Sequence, residues 1–161
     1  MEELFRLDLD LPEQSVPVTS DDYYTPSWVF EALGLEFDTD PAQPIGGCPW
    51  IPVKKYYTIL DDGLSQPWTG RVWMNPPYSR PTPWVERFIQ HGNGIMLSFY
   101  SKARWFNNCW DLCDGIVPLP AKMMFVKPSG EEAGIFMPTA LFAMGEENVE
   151  ALKRSGLGRV R

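Results

Sequence analysis

The stretch Arg71-Val72-Trp73-Met74-Asn75-Pro76-Pro77-Tyr78 sets a short apolar run directly against two prolines. Arg71 to Met74 read as a strand without polar alternation, as expected where a sheet is covered on both faces. Neither proline can donate to a ladder, so sheet pairing stops at Met74 and the chain turns away there. Outward from this point, strands and helices alternate. Downstream, Thr82-Pro83 opens a helix with Trp84, Val85, Phe88 and Ile89 facing inward and Gly92 at its end. Gly94 to Phe99 reads as an apolar strand, followed by a helix capped by Ser101 and running to about Leu112. Gly115 to Leu119 and Thr139 to Met144 are strand-like, and Glu147 to Arg154 closes the chain as a helix. Between them Met123–Val126 and Ala133–Met137 flank Lys127-Pro128-Ser129-Gly130 as a hairpin.

Upstream, Thr25-Pro26 predicts a helix capped by Thr25, with Trp28, Val29 and Leu33 inward and Gly34 as its stop. Leu35 to Asp38 predicts a strand running into Asp38-Thr39-Asp40-Pro41. Residues 41 to 53 form a loop, and Lys55 to Leu60 another strand. Residues 1–20 are acidic and without period, a flexible arm ahead of a single domain at 21–161. Such alternation predicts an α/β domain with a mostly parallel, Rossmann-like sheet and helices on both faces. Ligands in such sheets lie beyond the carboxyl ends of the strands. Both Asp38-to-Ala42 and Asn75-to-Tyr78 fall there.

Composition sets limits on function. The 161 residues suffice for one sizeable core, and 14% are aromatic. A net charge of -7 argues against a broad nucleic-acid coat, though not against local basic contacts. Arg71, Arg80, Lys102, Arg104, Lys122 and Lys127 are the central basic residues, either phosphate contacts or scattered surface charge. The odd count of three cysteines, Cys48, Cys109 and Cys113, suggests free thiols in a reducing compartment. Their spacing lacks the paired ligands of a zinc site, and His91 is the only histidine, so no metal is expected. No secretory leader and no membrane-spanning run are expected.

The Asn75-Pro76-Pro77-Tyr78 loop carries the sharpest chemical signal. By average residue usage, chance places this tetrapeptide in a chain of this length on the order of once in a few thousand sequences. An amino group conjugated to an aromatic ring is a poor nucleophile because its lone pair is delocalised. Two acceptors on its two hydrogens draw the nitrogen toward tetrahedral geometry. The Asn75 side-chain oxygen and the Pro76 backbone carbonyl fit that role, with Pro77 stiffening the second. Tyr78 offers a face on which a planar base can stack.

These residues, together with Tyr23-Tyr24-Thr25-Pro26, Glu36-Phe37-Asp38-Thr39-Asp40-Pro41-Ala42, Asp62-Gly63-Leu64 with Trp68, Met96-Leu97 through Trp105-Phe106, and Thr139-Ala140-Leu141-Phe142, resemble the phage-type DNA N-6-adenine-methyltransferase family. The resemblance spans residues 21 to 145. It implies a class I methyltransferase fold, S-adenosylmethionine as donor and adenine in DNA, duplex and flipped from its stack, as acceptor. It implies the cytoplasm of a bacterial host, in a phage- or prophage-encoded protein. Catalytic roles fall on Asn75, Pro76, Pro77 and Tyr78. Tyr24, Thr25 and Pro26 would border the methionine end of the donor. Asp38, Asp40 and Ala42 would lie along it, and Asp62 near its adenine ring. Asp40-Pro41-Ala42-Gln43-Pro44 stands where many such enzymes have a glycine-rich loop, so the role of each Asp stays open. The acceptor alternatives are a cytosine, an RNA base or a protein glutamine; a non-catalytic binding relative is the other reading.

Overall fold

The computed structural model describes residues 19–135 and 137–161. The arm expected at 1–20 therefore lies outside the described residues up to position 18. Thr19 and Ser20 begin a short 3-10 turn, Ser20–Asp22, closed by a reciprocal Thr19–Asp22 capping box.

One six-stranded sheet organises the domain. In chain order its strands are β1 (Phe37–Asp40), β2 (Val53–Tyr56), β3 (Val72–Met74), β4 (Gly94–Phe99), β5 (Gly115–Pro118) and β8 (Thr139–Met144). They lie in the order β2-β1-β3-β4-β8-β5. Pairings β1–β2, β1–β3 and β3–β4 are parallel, and β8 runs antiparallel between β4 and β5. β6 (Phe125–Val126) and β7 (Glu132–Ala133) form the separate hairpin the sequence predicts. The helices are α1 (Ser27–Leu33), α2 (Thr82–His91), α3 (Arg104–Leu112) and α4 (Glu146–Arg154). This is the mostly parallel α/β, Rossmann-like arrangement expected.

The strand sequences explain the two layers. Side chains alternate along a strand, so one strand feeds two cores. On one face Trp73, Ile95, Leu97, Leu141 and Ala143 pack with Val29, Phe30 and Leu33 of α1 and Leu152 of α4. On the other face Val72, Met74, Met96, Ala140 and Phe142 pack with Val85 and Phe88 of α2 and Trp105 and Cys109 of α3. Every residue of β4 is buried, as the lack of polar alternation required.

Two caps differ from expectation. α1 begins one residue later than the Thr-Pro pair suggests: Pro26, in extended conformation, is the N-cap, and the Thr25 hydroxyl makes no capping bond. α3 starts at Arg104 behind Ala103, and Ser101 Oγ accepts the Ala103 N–H at 3.0 Å instead of capping the helix. β1 and β2 each sit about two residues away from the expected starts, at Phe37 and Val53. Gly34 and Gly92 do stop α1 and α2, with φ of 62° and 74°.

Topology fixes where a ligand can sit. From β1 the chain moves outward to β2, then returns to β3 on the other side of β1. The carboxyl ends of β1 and β3 thus flank a topological switch point, where loops diverge and leave a crevice. Asp40 ends β1 and Asn75 directly follows β3.

Candidate active site

Two adjoining cavities occupy the switch point. A narrow recess is lined by Tyr24, Thr25, Asp40, Gln43, Trp73 and Asn75, among others. A cleft of about 450 Å³ continues from it, sharing Asp21, Ala42, Gln43 and Pro44 and reaching Thr58, Asp62 and Trp84. That volume falls in the ordinary range of small-molecule sites.

Polar groups in the recess lack partners. Thr25 Oγ1, Trp73 Nε1 and Asn75 Oδ1 are all buried without a hydrogen bond among the described residues. Buried polar atoms are nearly always paired, so three orphans around one recess point to a polar ligand as their partner. Asp40 is buried beside them. Burial pushes its carboxyl up to about 7, against the pull of the Ala42 N–H, which donates to it at 3.0 Å, and of the Gln43 side chain. A buried carboxylate this costly to ionise suits a cationic partner.

The Asn75–Tyr78 loop leaves β3 as predicted. Asn75 lines the recess, with its Oδ1 buried, and Pro77 lines the cleft. Pro76 is buried, and among the described residues no hydrogen bond is recorded to its carbonyl. The Tyr78 ring lies 4.7 Å from Phe99, tilted by 59°, and is not among the residues lining either cavity. Its hydroxyl is buried and unpartnered, and burial raises its pKa.

The other expected residues separate into groups. Tyr24, Thr25 and Ala42 line the recess, and Asp62 lines the cleft. Pro26 instead faces a second groove beside Trp28 and Lys122. Asp38 is not brought to either cavity. Its carboxylate accepts the Arg71 N–H at 2.8 Å and pairs with Lys54 at 3.2 Å, and both hold its pKa down. Arg71 is itself committed to Asn148, Glu147 and the Glu36 carbonyl. Arg80 lines the cleft, and Lys122 the second groove.

Sequence reading missed several residues. Asp21 accepts hydrogen bonds from the Tyr78 and Ser79 N–H groups and from Ser79 Oγ. Gln43 holds the proline-rich loop through its Oε1, which accepts the Cys48 N–H at 2.8 Å. Arg87, on α2, donates to the carbonyls of Gly63, Leu64 and Gln66 and lies over the Trp68 ring. It thereby fixes the turn that forms one wall of the cleft. Gly63 in that turn has no room for a side chain: a Cβ would stand 1.9 Å from the Pro41 carbonyl oxygen. Asp62, just before it, holds a left-handed φ of 53°, the sole non-glycine to do so among the described residues. Strain of that kind concentrates at ligand sites.

The three cysteines are free thiols. Burial pushes the Cys48 thiol up to about 11, so it remains protonated at neutral pH. Among the described residues no cluster of three His, Cys, Asp or Glu could hold a metal. No described helix is long and apolar enough to cross a membrane.

Residues 14–139 match the DNA N-6-adenine-methyltransferase (Dam) family. The chain belongs to that family. A DNA N-6-adenine-methyltransferase of Haemophilus phage HP1 is 33% identical over 96 residues, covering 53% of this chain and 54% of that protein. The chain thus spans about half the length of the curated relative it matches. No solved structure matches. Membership in the Dam family agrees with the resemblance drawn from the sequence.

Proposed function

We propose that this chain transfers a methyl group from S-adenosylmethionine to the N6 amino group of adenine in DNA, with Asn75 and Pro76 as hydrogen-bond acceptors. The observation that carries this reading is the unpartnered Asn75 oxygen, held at a strand's end beside a recess of orphaned polar atoms and a buried carboxylate.

The donor fits these residues. Asp40, Thr25 and Gln43 would hold its charged amino-acid end, and the cleft walled by Ala42, Thr58, Asp62 and Trp84 would take the nucleoside. Bound there, it supplies a methyl group on a cationic sulfur, which an amine lone pair displaces to leave a neutral thioether. Asn75 Oδ1 accepts one hydrogen of the target amine and the Pro76 carbonyl the other. This localises the lone pair and fixes its direction. The amine carries an extra proton after transfer and sheds it to solvent, so no strong base is required. Catalysis is positioning, with the acceptors set before the substrate arrives.

The target base must leave its stack to reach a loop seated in a crevice. Tyr78, half-buried as a residue, is the stacking partner in this reading. Arg80, exposed at the cleft rim, is placed to meet a phosphate. The reaction belongs in the cytoplasm of a bacterial host, in keeping with the phage source of the relative.

The test is incubation of the protein with isotopically labelled donor and unmethylated DNA, then digestion to nucleosides and mass analysis. Label in N6-methyldeoxyadenosine is expected. Label in a cytosine nucleoside, or label found only when RNA or protein is supplied, would replace the acceptor named here.

A further inference from the structure

We infer that Asp21 is a positioning residue for methyl transfer, locking the Asn75–Tyr78 loop through its far end; this rests on the function proposed above. Asp21 Oδ1 accepts the Tyr78 N–H at 2.7 Å and the Ser79 N–H at 3.3 Å, while Oδ2 accepts the Ser79 hydroxyl at 2.5 Å. A single carboxylate thus captures two successive backbone donors and a side chain immediately after the two prolines. Asp21 is half-buried, and hydrogen bonds to a charged acceptor are the stronger kind.

The placement couples two halves of the site. Asp21 sits in the turn that runs into Tyr23, Tyr24 and Thr25, which line the recess. That segment is pinned independently: Tyr24 and Val126 exchange backbone hydrogen bonds of 2.7 and 3.0 Å, and the Thr25 carbonyl accepts Trp50 Nε1–H at 2.8 Å. β3 fixes the loop at Asn75, and Asp21 fixes it at Tyr78 and Ser79. The Pro76 carbonyl lies between these two anchors, and its direction is what the chemistry depends on.

The sign of the effect separates this role from a plain surface charge. A carboxylate near the DNA-facing rim repels phosphate, so removing a bystander would strengthen DNA binding and leave kcat alone. Removing a lock has the opposite signature. In Asp21→Ala, kcat should fall about 10- to 100-fold, because misplacement of a reacting group by about 1 Å can cost about that much. Melting temperature should stay within a few degrees, since the fold's core is untouched, and kcat is read at saturating donor because Asp21 itself lines the recess and the cleft. Hydrogen exchange at the Tyr78 and Ser79 amides should quicken at least about tenfold in the same variant. Asp21→Asn keeps an acceptor for the two amides and should recover part of kcat. Ser79→Ala removes one bond only, and combined with Asp21→Ala it should add nothing further. Unchanged amide exchange in Asp21→Ala, or kcat within twofold of the parent, overturns the inference. So does a parallel loss of kcat, donor affinity and stability in both Asp21→Ala and Ser79→Ala. The exchange measurement needs no activity, so the lock is judged even if adenine in DNA proves the wrong acceptor.

Discussion

Replacing Asp40 by Asn should remove its use for the donor and shift stability toward the variant as pH rises. Asp40 is buried, and its carboxyl is raised from 3.8 to about 7. A carboxyl with a raised folded pKa binds its proton more tightly when folded. Its contribution is therefore most favourable below the unfolded pKa and is lost as pH rises to the folded one. At about 1.36 kcal/mol per unit, the roughly three-unit shift costs about 4 kcal/mol at pH 8 and about 1–2 kcal/mol at pH 5. Asn cannot ionise, and its oxygen can still accept the Ala42 N–H that Asp40 Oδ1 takes at 3.0 Å. Its amide hydrogens add a cost of about 1–3 kcal/mol if they find no acceptor. That cost does not vary with pH, so it cancels in the comparison. Thermal unfolding of parent and variant across pH 5 to 8 is the assay. The stability difference should shift toward the variant by about 2–3 kcal/mol over that range, roughly 4–12 °C in Tm for a domain of this size. A difference that stays constant with pH would show that Asp40 ionises freely and would remove the reasoning for a cationic ligand beside it.

Further expectations follow from the same contacts. Donor affinity of the parent, measured calorimetrically, should weaken about tenfold per pH unit below pH 7, because a protonated Asp40 cannot pair with an ammonium; Asp40→Asn should bind weakly at every pH. Arg87→Ala frees three carbonyls in the turn that walls the cleft, so the melting temperature should drop and donor affinity fall by about tenfold, roughly 1.4 kcal/mol; an unchanged affinity would detach that turn from the site. Gly63→Ala forces a methyl group to 1.9 Å from the Pro41 carbonyl oxygen, and chemical denaturation should register a loss of at least about 1–3 kcal/mol.

The fold was readable where burial is symmetric. β4 and β8 begin and end where their apolar runs do, since every side chain on either face meets a helix layer. β1 and β2 were displaced because their sequences, Phe-Asp-Thr-Asp and Val-Lys-Lys-Tyr, carry polar residues that local patterning cannot place. β2 is an edge strand, and its mostly exposed side chains leave no hydrophobic signature. Thr25 resembled a cap in sequence, yet the chain uses Pro26 and turns the Thr25 hydroxyl into the recess region, unpaired.

At the site, Asn75 was legible because two prolines after an apolar strand leave few structural explanations. Asp40 was legible only as one of several acidic residues. Its environment, not its identity, separates it from Asp38, whose carboxylate goes to Arg71 and Lys54 two residues away along the same strand. Asp21 and Arg87 act on backbone groups 57 and 21–24 residues distant, a pairing that no local spacing encodes.

The most direct measurement is the single-turnover rate of methyl transfer by Asn75→Ala at saturating donor and DNA, with donor affinity measured alongside. The expected result is a rate lowered by at least about 10²-fold, the usual loss when one preorganised polar group is removed, at near-unchanged donor affinity. A rate within a few-fold of the parent would contradict the role given to the Asn75 oxygen.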